Sequence, residues 1–209
     1  MKKLFLCAAL AVFGFSNVGA QDVTFGAKAG VNFASFGGDL EDLDGRTSFH
    51  LGVVAEFAIS EKFSVQPELL FSGQGAGAEF SETFFGETIS SETTFNLSYL
   101  NLPIMAKYYV ADGFSLEAGP YVGFLIGGES EETFSGGGES GSETEDSTEL
   151  FKGLDFGLGV GTSYKLESGL FFSARYNLGL ADITDADDGD DAPKINNNVI
   201  QISVGYFFL

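Results

Sequence analysis

The chain has 209 residues, with 30 acidic side chains against 10 basic ones and a formal net charge of −20 at pH 7. So acidic a surface excludes nucleic-acid binding, because phosphate is repelled by it. A single cysteine, Cys7, excludes a disulfide scaffold.

Taken in order, the chain starts with Met1-Lys2-Lys3, an apolar run from Leu4 to Phe15, and Val18-Gly19-Ala20 before Gln21. A basic start, a short apolar stretch and small residues predict a signal peptide over residues 1–20, cleaved after Ala20. The run is too short for a membrane anchor, which needs roughly 20 apolar residues. Residues 21–209 then form one domain without a thiol. No later segment is an apolar 20-mer, although 44% of the residues are hydrophobic. An exported chain of this kind can bury its apolar surface in lipid as a closed β-barrel, which satisfies every backbone hydrogen bond without an edge.

Eight segments alternate with a period of two. The first sets Val23, Phe25, Ala27, Ala29, Val31 and Phe33 against Thr24, Gly26, Lys28, Gly30 and Asn32. The second places Phe49, Leu51, Val53, Ala55, Phe57 and Ile59 opposite His50, Gly52, Val54 and Glu56. In the third, Phe63, Val65, Pro67, Leu69 and Phe71 oppose Ser64, Gln66, Glu68, Leu70 and Ser72. The fourth and fifth form a long hairpin, Tyr99 to Ile126, around Asp112-Gly113, with Lys107 and Glu117 on its polar face. Asp155 lies on the polar face of the sixth, from Leu154 to Tyr164, and Arg175 on that of the seventh, from Leu170 to Leu180. The eighth ends the chain, with Ile200, Ile202, Val204, Tyr206 and Phe208 against Gln201, Ser203, Gly205 and Phe207. Pro67, Pro103 and Pro120 each remove a ladder donor, so bulges are expected there.

Connections after the second, fourth and sixth segments are short, whereas those at roughly 36–46, 73–95, 128–150 and 181–197 are long. Short turns on one rim and long loops on the other predict an all-β fold: an eight-stranded antiparallel transmembrane β-barrel with short periplasmic turns and long acidic extracellular loops. An even strand count leaves both ends on the short-turn rim. A soluble barrel would carry many charges on the faces that meet water. Here those faces hold only Lys28, Glu56, Glu68, Lys107, Glu117, Asp155 and Arg175, with His50, so lipid is placed outside.

Several segments resemble a known family. Gln66-Pro67-Glu68-Leu69-Leu70-Phe71-Ser72, Tyr99-Leu100-Asn101-Leu102-Pro103, Ala106-Lys107-Tyr108-Tyr109, Glu117-Ala118-Gly119-Pro120-Tyr121 and Ala174-Arg175-Tyr176-Asn177-Leu178-Gly179-Leu180 are similar to the outer membrane β-barrel "porin family" proteins, PorT-like, of Bacteroidota. The resemblance implies an eight-stranded outer-membrane barrel, and its members mostly have no assigned activity. Leu209 stands where such barrels usually end in an aromatic residue.

Chemistry is sparse. Three basic and four acidic lumen residues nearly balance, and in a bore just wide enough for side chains they are expected to pair as a plug rather than line an ion path. His50 is the only histidine and falls on the polar face, away from the lipid surface where a lipid-modifying hydrolase would need it. No nucleophile–base pair is visible, so no enzyme, catalytic residue, cofactor or metal site is expected. The long connections hold 22 of the 30 acidic residues, opposed by Arg46 and Lys194. Asp185-Ala186-Asp187-Asp188-Gly189-Asp190-Asp191 suits hard cations but lacks the EF-hand spacing. The reading is a solvated, self-repelling loop with at most weak divalent cation binding, ordered with its neighbour at 128–150 by millimolar calcium. Expected partners are outer-membrane lipid and, during biogenesis, the barrel assembly machinery. The function read from the sequence is a membrane anchor with a surface-contact or structural role. The alternative is a narrow porin-like channel for small solutes or cations.

Overall fold

The computed structural model describes residues 23–39, 43–84, 87–136, 139–185 and 193–208. The expected signal peptide at residues 1–20, the terminal Leu209 and the Asp-rich stretch 186–192 lie outside the described residues. The described residues form nine strands: β1 (Val23–Gly38), β2 (Asp44–Ser60), β3 (Phe63–Phe84), β4 (Glu87–Ala111), β5 (Phe114–Gly136), β6 (Glu139–Asp146), β7 (Leu154–Lys165), β8 (Leu170–Gly179) and β9 (Ile195–Phe208). A 3-10 turn, Thr148–Leu150, precedes β7. All pairings are antiparallel; β4 pairs with β5 and β1 with β9, so eight strands close into a ring in the order β1-β2-β3-β4-β5-β7-β8-β9. The ninth, β6, pairs with the distal part of β5 and lies outside the ring.

The alternation in the sequence decides which way each side chain points. On β4, Leu102, Ile104, Tyr108 and Val110 are exposed outward, while Asn101, Met105 and Lys107 are buried inward. The same inversion runs around the ring, giving an apolar outer band and a polar interior, the arrangement lipid demands. Among the described residues no helix is long and apolar enough to cross a membrane, so crossing falls to the strands. Phe25 pairs with Phe208, which brings both ends of the ring to the rim of the short turns. One such turn, Asp112-Gly113, needs glycine because Gly113 has φ +72, in the left-handed region.

Two expectations are revised. The prolines cause no bulge: Pro67 pairs with Ile104, Pro103 with Tyr121 and Pro120 with Leu158, all without a register change. A missing donor removes a hydrogen bond but leaves the pleat intact. Register shifts occur instead between Gly45 and His50, Ala58 and Ser60, Ser98 and Tyr99, and Tyr109 and Ala111. The connections at 73–95 and 128–150, expected as loops, are strand over 73–84, 87–95, 128–136 and 139–146. β4 has 25 residues, although about 9–11 suffice to cross a bilayer. The outer parts of β3, β4 and β5 therefore continue beyond the ring, and with β6 they make a four-stranded blade. The Thr- and Phe-rich arms Thr83, Thr88, Thr93, Thr94 and Phe80, Phe95 favour strand, and the acid density concealed that signal.

The outward band can be checked by placing a charge in it. Val160, exposed in the middle of β7, is expected to tolerate arginine poorly. Val160→Arg should lower stability by about 2–4 kcal/mol when unfolding is followed in lipid vesicles, and an unchanged value would place this face in water.

Candidate functional site

The lumen is organised around Glu68 on β3. Its carboxylate receives two hydrogen bonds from the Arg175 guanidinium, Nη1 to Oε2 at 2.9 Å and Nη2 to Oε1 at 2.7 Å. Lys28 Nζ donates to the same Oε2 at 3.2 Å, and Gln66 Nε2 donates to Oε1 at 2.7 Å. Arg175 uses its remaining Nε to reach Glu117 at 2.8 Å. β3 and β8 stand diametrically opposite in the eight-membered ring, so the Glu68–Arg175 pair spans the bore. The bidentate fork suits this position because it fixes geometry as well as charge. β7 makes room for it with glycine: a Cβ on Gly161 would lie 2.9 Å from Arg175 Cα, and one on Gly159 3.3 Å from Arg175 Cδ.

A second set continues toward the short-turn rim. Lys107 donates to Glu56 at 3.3 Å and to Gln66 at 3.0 Å, and the Tyr109 hydroxyl donates to Glu56. Beneath it Phe171 and Phe207 stack at 4.6 Å and pack with Val54, closing that end with apolar surface. Toward the other rim lies a neutral layer. His50 Nδ1 is 2.7 Å from Asn32 Oδ1, and its Nε2 is 2.9 Å from Ser203 Oγ. Asn32 also donates to Ser72 and to the Gly73 carbonyl, while Gln201 donates to Asn32.

Every charged lumen residue named from the sequence is buried inside the ring. The three cations pair with Glu56, Glu68 and Glu117, as the plug expectation requires. Asp155 does not join them; its buried carboxylate accepts from the Tyr121 hydroxyl at 3.4 Å. One contact not visible in the sequence is a serine–histidine–amide chain of Ser203, His50 and Asn32. Residues 18 and 153 positions from His50 supply it, a proximity that only the closed ring creates. The set is enclosed: His50 and Asn32 are 0% exposed and Ser203 5%.

The far mouth is covered by two segments that lie outside the ring strands. Phe151, after the 3-10 turn, and Ile183, after β8, sit in a buried cluster with Phe36, Leu97, Tyr99 and Ile195. Phe151 contacts Phe36 at 6.0 Å and Phe95 at 5.6 Å between ring centroids. Backbone bonds hold the cover down: Lys152 N to Ile183 O at 2.8 Å, Asp185 N to Leu150 O at 3.0 Å and Ile183 N to Ile195 O at 2.8 Å. On its rim the Lys152 ammonium lies 2.8 Å from Asp182. That hydrogen bond, helped by the backbone N–H groups of Thr184 and Ile195, holds the Asp182 carboxyl down at about 2. Among the described residues no three carboxylate, imidazole or thiol groups converge to hold a metal ion.

A family model described as outer membrane protein beta-barrel domain matches residues 19–185. It does not distinguish the narrower PorT-like group. Among solved structures, Neisserial surface protein A aligns at 12% identity and TM-score 0.50, covering 90% of this chain and 99% of that one. Ail of Yersinia pestis aligns at 14% identity and TM-score 0.49, covering 90% and 99%. OprG of Pseudomonas aeruginosa aligns at 14% identity and TM-score 0.40, covering 91% and 98%. At these identities the likeness concerns the fold alone. No curated protein matches the sequence.

Two measurements probe these contacts. Glu68→Gln leaves Arg175 and Lys28 facing a neutral amide and is expected to cost about 3–5 kcal/mol in unfolding experiments. Asp155→Asn, which breaks no ion pair, should be close to neutral, and equal costs would show that the Glu68 network is not special. The second concerns acid. The depressed Asp182 group contributes above its ordinary pKa of about 4, and that contribution is lost as pH falls toward 2. Pepsin cleavage near residues 181–185 should accelerate across that interval, and Asp182→Asn should remove the pH dependence.

Proposed function

The chain belongs to the outer membrane protein beta-barrel domain family, and on that premise we propose that it is a sealed outer-membrane anchor that carries a surface-contact element. Residues 1–20 serve as the cleaved export signal, and residues 21–209 make a single barrel domain. The observation that carries the reading is the Glu68–Arg175 pair spanning the bore, with Lys28 and Glu117 bound to it. An ion or solute crossing the lumen would have to break a buried charged network and then displace the Phe151–Ile183 cover. Stranding either partner of a buried pair is costly enough to oppose that. What remains available to the surroundings is the lipid-facing band and the acidic blade. The protein is read as non-enzymatic because Ser203 and His50 are closed off from both water and lipid.

Single-channel recording in a planar bilayer tests the sealed lumen. The protein is expected to be silent, and a double replacement, Glu68→Gly with Arg175→Gly, should admit small ions by removing the side chains that fill the bore. Steady conductance by the unaltered protein would instead favour the narrow channel. A fluorophosphonate probe is expected to leave Ser203 unlabelled, whereas labelling would reopen the enzymatic reading.

A further inference from the structure

The blade outside the ring has an arrangement that the barrel does not require. Its four strands pair as β3-β4-β5-β6, and among the described residues no strand pairs with the outer edge of β6. Cross-strand pairing assigns the faces. One face carries the rows Ala78, Thr93, Glu132, Glu143 and Phe80, Ser91, Phe134, Gly141, continued by Glu145 opposite Ser130. The other carries Ser81, Ser90, Ser135, Ser140 and Glu79, Glu92, Thr133, Ser142, with Thr144 opposite Glu131. Thus β6 presents Gly141, Glu143 and Glu145 on one side and Ser140, Ser142, Thr144 and Asp146 on the other. Phe80 and Phe134 are 61% and 50% exposed on the face that carries Glu143 and Glu145, and the Phe134 ring lies over Gly141 at the edge strand.

Charge on the blade is uncompensated. Residues 75–98 and 125–149 contain no lysine, arginine or histidine. Carboxylates face each other directly at Glu79–Glu92, Glu132–Glu143 and Glu129–Asp146. Like charges in directly opposed positions destabilise a sheet. An open strand edge is a template for adding a strand, and the side chains beside it decide which strand is accepted.

We propose that the free edge of β6 is a docking site for an extended, basic polypeptide segment that adds to the blade as a fifth strand. This rests on the surface-contact role proposed above and names its partner. Alternate side chains of the incoming segment are lysine or arginine, lying against Glu143 and Glu145 and over the exposed Phe134 ring, which adds a cation–π contact. The intervening side chains are small or hydroxylic and lie beside Ser142 and Thr144. A second copy of this chain is the wrong occupant, because it would set Glu143 and Glu145 against its own carboxylates. Sulfated or phosphorylated polymers are repelled for the same reason.

The test uses the full chain in zwitterionic detergent and peptides matched to the eight residues of β6. One peptide alternates lysine and threonine, one has the same composition with the lysines grouped, and one alternates glutamate and threonine. The alternating lysine peptide is expected to bind about tenfold more tightly than the grouped one, a difference of about 1.4 kcal/mol, and the glutamate peptide not to bind. Glu143→Gln with Glu145→Gln should remove that preference while heat-dependent gel migration, which reports the barrel, stays unchanged. Equal binding of the two lysine peptides would overturn the proposal, leaving a diffuse acidic surface. Displacement of the alternating peptide by calcium, but not by sodium at matched ionic strength, would assign the carboxylates to divalent ions and overturn it as well. Self-association without peptide would assign the edge to a second copy. Conductance is read separately: peptide binding by a conducting barrel would remove the sealed lumen and keep the docking site, and a silent barrel without binding would do the reverse.

Discussion

The structure depends on one buried contact, the two-pronged hydrogen bonding of Arg175 to Glu68 across the bore. An eight-stranded ring leaves an interior that side chains just fill, and this interior is filled with charge. Burying so many ions is costly unless they pair, and six of the seven do so, while Asp155 accepts from the Tyr121 hydroxyl instead. Arg175 satisfies the requirement by serving two carboxylates, and Glu68 by receiving Arg175, Lys28 and Gln66. Through Gln66 and Lys107 the network reaches Glu56, so β1, β2, β3, β4, β5 and β8 are tied together by side chains as well as by backbone.

Packing then extends to both ends of the bore by different means. At the short-turn rim, Phe171, Phe207 and Val54 supply an apolar base on which the Lys107 charge rests, with its ammonium 5.8 Å from the Phe207 ring. At the far rim, Phe151 and Ile183 come from segments outside the ring strands and fold over the opening. Between these ends the paired charges fill the bore, while the apolar band and the projecting blade make up the outside of the barrel. Acid is permitted on the blade because water surrounds it, whereas in the lumen Glu56, Glu68 and Glu117 are matched by three cations.

The His50 layer shows how far function can be inferred from contact alone. Ser203, His50 and Asn32 have the hydrogen-bond order of a nucleophile, a base and an orienting amide. Here the three groups are buried and hydrogen-bond to one another within the barrel wall.

What the sequence by itself determined was the barrel. The period of two, the Asp112-Gly113 turn and the alternation of short and long connections specify strands, their neighbours and the side each residue faces, because these are local properties of a pleated chain. It also determined which charges are inside: Lys28, Glu56, Glu68, Lys107, Glu117, Asp155 and Arg175 all lie there. Partner choice was decided only by closure. Glu68 and Arg175 are 107 residues apart and meet because β3 and β8 fall on opposite sides of the ring; nothing in either segment encodes the other. The Phe151–Ile183 cover and the continuation of β3, β4 and β5 into a blade were likewise settled by tertiary structure. Acidic, Ser- and Gly-rich stretches read as loops when alone, and they become strand where a neighbouring strand already in register supplies the hydrogen bonds.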